Sequence, residues 1–342
     1  MSLASELNKK QKTLKIPKQQ KVEKIPKSLT VPQEMQPILK VENLGISFTQ
    51  YTKGLKQKNL DVITSLDLTI FPGEILAVVG SSGSGKSLLA HGILGILPNN
   101  AAVTGTITYK GQELTSKLQQ RLRGQEIALV PQSVNYLDPL MRVGKQVRTA
   151  VRKGGATKTQ REVFARYHLQ PQVEKFFPFQ LSGGMARRVL VSTAVVSGAE
   201  LIIADEPTPG LDEGVIKEAL SCFRELADKG ASIMLITHDI ETALKIADRI
   251  AVFYAGTTVE VASAKDFTEK GGALRHPYSK ALWRALPQND FEPIPGFQPL
   301  PSALPSGCLF EPRCHMATPQ CAQGRPETRI LRNGMVRCIH AT

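Results

Sequence analysis

Residues 80–87 read Gly80-Ser81-Ser82-Gly83-Ser84-Gly85-Lys86-Ser87. They fit G-x-x-x-x-G-K-[ST], a loop whose backbone N–H groups cradle phosphates. Ile75-Leu76-Ala77-Val78-Val79 precedes it and reads as a buried strand, and Leu88 to Leu94 opens a helix. The glycines let the backbone approach phosphate oxygens, while successive N–H groups and the helix N-terminus supply positive partial charge. In such a loop Lys86 reaches the β and γ phosphates and the Ser87 hydroxyl holds Mg²⁺. The expected fold is therefore α/β, with a nucleoside triphosphate on the loop. What the nucleotide drives is not written there.

Downstream stretches add chemistry at strand ends. Leu201-Ile202-Ile203-Ala204-Asp205-Glu206 reads as a buried strand closing in two carboxylates. At that end they face the crevice where α/β ligands sit. Asp205 would reach Mg²⁺ through water, and Glu206 would act as general base on the attacking water. Two ionised carboxylates in an apolar setting are costly without a cation. Ser232 to Thr237 is a further core strand, expected beside Ile75–Val79, and His238 at its end would touch the γ-phosphate or orient the water. Leu181-Ser182-Gly183-Gly184-Met185 enters a helix, with Ser182 a good N-cap and two glycines keeping the helix end bare. It is a second anion-binding terminus, about 95 residues after the first. One domain has no need of two for one nucleotide, so this one is expected to address a nucleotide held by another chain. His91, His168 and His276 take structural roles.

Upstream, Ile38–Val41, Gly45–Phe48 and Val62–Ile70 read as strands, and Phe71-Pro72-Gly73-Glu74 as a turn feeding the loop. Phe48 is the first candidate to stack on the base and Tyr51 the second, with a core role the alternative for Phe48. Residues 135–180 read as a mostly helical lobe inserted into the core. Residues 1–37 carry eight lysines against Glu6, Glu23 and Glu34, four prolines and few large apolar side chains. Such a segment buries too little to offset its ordering entropy and is expected to be a disordered basic arm. The 342 residues carry a net charge of +13, which suits either anionic lipid or nucleic acid, or merely a solvated tail and a mildly basic surface. No apolar run of about 18 residues is present to span a bilayer, and no secretory pattern opens the chain. A cytosolic location is expected, with cysteines reduced or metal-bound.

The tail holds Cys308, Cys314, Cys321 and Cys338, four thiols within a Pro-rich segment with little core of its own. A bound metal would compensate for that small core. The usual C-x2-C zinc pairs are missing. Cys222 lies in a helical stretch and reads as a packed core residue.

Phosphate loop, Gln132, LSGGM, LIIADE, PGLD and His238, in this order over about residues 38–262, resemble the ATP-binding-cassette (ABC) ATPases. The resemblance implies a P-loop NTPase core with a RecA-like mixed, largely parallel sheet, an N-terminal antiparallel β subdomain and an inserted helical subdomain. It implies that two subunits pair head to tail, so that Ser182, Gly183, Gly184, Met185 and Asp212 face the partner's ATP. Gln132 would contact Mg²⁺ and sense the membrane partner. Met185 departs from the commoner glutamine. Leu137-Asp138-Pro139 with Val143-Gly144-Lys145-Gln146, His276-Pro277-Tyr278-Ser279 with Ala285-Leu286-Pro287, and Gly307-Cys308-Leu309-Phe310-Glu311-Pro312-Arg313-Cys314 are similar to stretches of the oligopeptide, dipeptide and nickel importers' ATPases. That subfamily implies a nucleotide-binding domain over 38–270 and a small C-terminal extension over 271–342. Its expected partners are a second, different ATPase subunit, two transmembrane permease subunits and an extracytoplasmic substrate-binding protein, with the chain at the cytoplasmic face of the membrane. Some members carry a [4Fe–4S] cluster at such cysteines; zinc, or no metal, are the alternatives. Peptides are the first expected cargo, and nickel or a metal chelate the second.

Two other classes compete. A nucleic-acid-linked cassette ATPase needs a long coiled coil between phosphate loop and LSGG, or two cassettes per chain; neither is present, and no nucleic-acid partner is expected. A non-hydrolysing regulatory subunit is disfavoured by Glu206 and His238.

Overall fold

The computed structural model describes residues 35–51, 56–152, 154–268 and 271–342, so the basic arm lies outside the described residues up to position 34. Two sheets organise the chain. The first is antiparallel, ordered β2 (Gln57–Ile70), β1 (Leu39–Tyr51), β4 (Ala101–Tyr109), β5 (Gln112–Glu113). Alternation in β2 buries Leu66, Leu68 and Ile70 against the core, as a half-buried strand requires.

The second sheet has eight strands, ordered β11 (Arg329–Leu331), β12 (Gly334–Val336), β10 (Thr257–Ser263), β9 (Arg249–Tyr254), β3 (Ile75–Gly80), β8 (Ser232–Thr237), β7 (Leu201–Asp205), β6 (Ile127–Val130). From β9 to β6 the neighbours run parallel, whereas β9–β10, β10–β12 and β11–β12 are antiparallel. The central strands are buried along their whole length, which is why they read as continuous apolar runs rather than alternating ones.

Helix α1 (Lys86–Leu94) packs between the two sheets, with Leu89, Ala90 and Ile93 in the same cluster as Leu44, Ile46 and Leu76. A short α2 (Ser116–Leu122) lies beside it. On the other side α5 (Gly183–Val196) packs on β6 and α6 (Glu213–Asp228) on β8, with α3 (Val143–Ala150) and α4 (Ala156–Arg166) against α5, and the four share a second cluster. Helix α7 (Ile240–Ile246) packs on β3 and β8, and α8 (Pro277–Arg284) on β10. A short α9 (Pro319–Gln323) lies in the tail. Among the described residues no helix is long and apolar enough to cross a membrane.

The C-terminal extension is wedded to the core sheet. Its hairpin β11–β12 adds two strands at the β10 edge. The turn Leu331-Arg332-Asn333-Gly334 has φ of 47° and 59° at its central residues, the left-handed pair that matches the twist of a tight hairpin. Phe310 and Leu309 join Tyr254, Tyr278 and Phe267 in a third buried cluster.

Candidate nucleotide site

The loop after β3 turns on glycines with positive φ: 78° at Gly83 and 96° at Gly85, the latter capping α1. At Gly80 a Cβ would stand 2.4 Å from the Phe253 carbonyl oxygen, so only glycine lets the loop leave the sheet there. Lys86 is buried and its Nζ donates to the Gly80 and Ser81 carbonyls at 2.8 and 3.0 Å. Burial pulls its ammonium below the ordinary range, while the charges of Glu206 and Asp205 push it back up. Ser84 Oγ is buried without a hydrogen-bond partner among the described residues. Ser81, Ser82 and Gly83 are exposed, open to an incoming ligand.

Asp205 closes β7, two strands from the loop, and is 3% exposed. Burial pushes its carboxyl above the carboxylate range; a hydrogen bond from the Ser87 hydroxyl opposes this, and Glu206 raises it further. One carboxylate oxygen, Oδ1, is buried and unpartnered among the described residues. A Ser87 hydroxyl and an orphaned Asp205 carboxylate oxygen are the hard oxygen donors that a phosphate-bound cation such as Mg²⁺ takes, so these residues fit it.

Glu206 follows with φ 47°, a strained left-handed backbone for a side-chain-bearing residue, secured by its N–H donating to the Ile236 carbonyl at 2.9 Å. Its Oε1 lies 2.9 Å from His238 Nδ1, and its buried Oε2 has no partner among the described residues. His238 lies just past β8 with its side chain 66% exposed, and β8 lies beside β3 as expected, paired in parallel. Gln132 is exposed, two residues past β6 at the far edge of the sheet. Strand order thus brings Lys86, Ser87, Asp205, Glu206 and His238 to one end of neighbouring strands, with Gln132 farther along the same edge.

Ser182 caps α5, its Oγ accepting from Met185 N–H at 3.3 Å, and Ser182 and Gly183 are exposed. Gly184 passes close to Gly210, whose carbonyl oxygen a Cβ there would approach to 3.3 Å. Asp212 caps α6, accepting from Val215 N–H at 3.0 Å. Helix α5 packs on α3, α4 and β6, whereas α1 packs on α2, β3 and β7, so these two helix N-termini belong to different layers of the chain. Phe48 is partly buried against the first core cluster, and Tyr51 stands 70% exposed at the end of β1.

Arg187 escaped the sequence reading. From α5 it donates to the carbonyls of Pro131 and Glu206, each at 3.1 Å, tying that helix to the ends of β6 and β7. A basic residue on the fifth position after Ser182 was the only signal for it.

The four tail cysteines are free thiols. They share one region: burial pushes Cys308 up to about 11, with further contributions from Cys338, Cys321 and Cys314. Among the described residues, however, no three or more Cys, His, Asp or Glu side chains stand together as a metal-holding group. The expected [4Fe–4S] cluster, and zinc as its alternative, are therefore not supported by the described residues.

Two family models match: ABC transporter over residues 63–209, and oligopeptide/dipeptide transporter, C-terminal region, over 259–321. The oligopeptide transport ATP-binding protein AppD of Bacillus subtilis is 32% identical over 330 residues, covering 89% of this chain and 97% of that protein. The dipeptide transport ATP-binding protein DppD of Haemophilus influenzae is 32% identical over 320 residues, covering 88% and 94%. A solved dimeric ATP-binding cassette in a post-hydrolysis state, bound to ADP and Pi, aligns with TM-score 0.58 at 24% identity over 66% of this chain and 98% of that one. The cbiO1 cassette of Clostridium perfringens, part of the ABC transporter complex cbiONQ, aligns with TM-score 0.54 at 26% identity over 69% of this chain and 92% of that one. With its phosphate loop, paired carboxylates and C-terminal extension, the chain belongs to the ABC transporter ATPases that carry an oligopeptide/dipeptide transporter C-terminal region.

Proposed function

We propose that this ATPase is the motor of a membrane importer whose cargo is peptides. The observation that carries it is the pairing of an intact hydrolytic end, Glu206 against His238 at 2.9 Å, with relatives over most of the chain that are named for oligopeptide and dipeptide transport. Peptides take precedence over nickel because those names favour them.

In this mechanism the loop Gly80–Ser87 receives the phosphates, and Lys86 turns from the Gly80 and Ser81 carbonyls to the β and γ phosphates. Ser87, Asp205 and Gln132 would hold Mg²⁺, which when bound would neutralise developing phosphate charge. Glu206 takes the proton of the attacking water, and His238 fixes the carboxylate and reaches toward the γ-phosphate. Tyr51, with its ring open to solvent, offers the better face for the base, since Phe48 spends part of its ring on the core. Ser182, Gly183, Gly184, Met185 and Asp212 address the triphosphate of a second, different ATPase subunit. Two permease subunits, fed by an extracytoplasmic binding protein, follow the motion from the cytoplasmic face of the membrane through the region of Gln132. A metal at the tail cysteines has no part in these steps.

Co-expression with the permease subunits and reconstitution into vesicles tests the reading. Peptide-loaded binding protein is expected to stimulate ATP hydrolysis several-fold. Stimulation by nickel chelate and not by peptides, or by DNA without the permease, would reject it.

A further inference from the structure

The C-terminal extension touches the phosphate loop itself. The Ser81 hydroxyl donates to Gln298 Oε1 at 2.6 Å, across 217 residues of sequence. The buried Tyr278 phenol lies near Ser81, which opposes the rise that burial gives it. Both partners are themselves fixed. Tyr278 is buried, its ring 4.5 Å from that of Tyr254 and 5.2 Å from that of Phe310. Arg313 lies over the Tyr254 and Phe310 rings and donates to the Ile294 and Pro295 carbonyls at 3.1 and 2.7 Å, which anchors the segment leading to Gln298. Ser81 in turn is one of the two residues whose carbonyls hold Lys86 Nζ.

We propose that Gln298, with Tyr278, is a positioning residue for ATP, holding the Ser81 corner of the phosphate loop so that the C-terminal extension forms part of the nucleotide site. Three consecutive loop residues, Ser81, Ser82 and Gly83, are solvent-exposed, and a glycine-rich backbone of this kind samples many conformers. A side chain that grips its first corner restricts those conformers before the nucleotide arrives, which raises affinity without touching the reacting atoms. The effect belongs in binding and not in the chemical step, because neither Gln298 nor Tyr278 reaches Glu206 or His238. The proposal rests on the phosphate loop being the seat of ATP.

The full chain carrying Gln298→Ala, Ser81→Ala, the two together, Tyr278→Phe and Lys86→Ala tests it, by calorimetric ATP binding and steady-state hydrolysis. Gln298→Ala is expected to weaken ATP binding and raise KM about fivefold, the change one neutral hydrogen bond commonly carries, with kcat within about twofold. Tyr278→Phe is expected to do the same to a smaller degree. The double variant should be no worse than either single one, since both remove one contact. An unchanged KM in Gln298→Ala, a loss confined to kcat, or additive effects in the double variant would overturn the proposal while Lys86→Ala still abolishes binding. If Lys86→Ala binds ATP like the parent chain, the seat assigned to the nucleotide is wrong and the proposal falls with it.

Discussion

His238 Nδ1 and Glu206 Oε1 stand 2.9 Å apart, across the ends of two adjacent parallel strands. One partner is buried, the other mostly open to solvent. A buried carboxylate held on one oxygen by a ring, with its second oxygen free, is poised to accept a proton from a water between it and a phosphate. Glu206→Gln is expected to retain ATP and lose turnover by a factor on the order of 10²–10³, and His238→Ala to lose less. Single-turnover phosphate release beside filter binding of ATP separates the two effects. Normal release from Glu206→Gln would end its assignment as general base.

Much of this site was legible because its chemistry sits on contiguous stretches. The phosphate loop, LSGGM and LIIADE each carry a strand or helix and its functional end in fewer than ten residues, so local pattern and spacing suffice. The strand beside β3 was legible for the same reason, as the apolar run Ile233-Met234-Leu235-Ile236 just before His238. What escaped was long-range. Arg187 acts on the carbonyls of Pro131 and Glu206, and backbone acceptors leave no mark in a sequence. Gln298 lies in a Pro-rich stretch without periodicity, and its partner is more than 200 residues away. The β11–β12 hairpin was missed because its strands are three residues each, too short for an alternation to register, and its turn signal is the pair Asn333-Gly334 alone. The cysteine spacing suggested a metal from residue type alone, and among the described residues the four thiols do not come together as a metal-holding group.

The exposed cap of α5 gives a second prediction. Ser182 is solvent-facing and its helix packs on a different layer from α1. Ser182→Arg fills the bare helix end with a bulky cation at little cost to this chain's own loop. The isolated chain is expected to bind ATP with a Kd within about twofold of the parent, while hydrolysis by the assembled transporter is lost, as for a group acting on the neighbour's nucleotide. A large loss of ATP binding in the isolated Ser182→Arg chain would show that Ser182 serves its own loop.

Stability should depend heavily on one buried carboxylate. Glu260 on β10 is fully buried; its Oε1 accepts from the Arg275 backbone N–H at 2.9 Å and pairs with the Arg275 guanidinium, and its Oε2 accepts from the His276 N–H at 2.9 Å. Arg275 is 3% exposed and, among the described residues, keeps only Asp266 as a second carboxylate at 2.8 Å. Glu260→Ala strands two amide donors and part of a buried guanidinium. The expected cost is about 3–5 kcal/mol, read from urea denaturation, with the extension loosening from the β10 edge first. A change below about 1 kcal/mol would mean that water replaces the carboxylate, and that the extension is not held from this point.

His276 makes the same region sensitive to acid. It caps α8, its Nδ1 accepting from the Tyr278 N–H at 3.0 Å, and is almost wholly buried. Burial pushes its pKa from 6.5 down to about 3, with the Arg337 backbone opposing. The unfolded chain therefore takes up a proton near pH 6.5, while the native ring stays neutral until about 3. Between those values the unfolded state binds more protons, so the contribution of this group is complete above about pH 6.5 and falls away as pH drops toward 3. His276→Asn keeps a side-chain acceptor at the cap, its amide oxygen in place of Nδ1, and removes the titration. The parent chain is expected to lose more thermal stability between pH 7 and pH 5 than His276→Asn does, whatever their difference at pH 7. Parallel slopes for the two proteins across that interval would show that His276 is protonated in the native state, and hence that water reaches it beneath the extension.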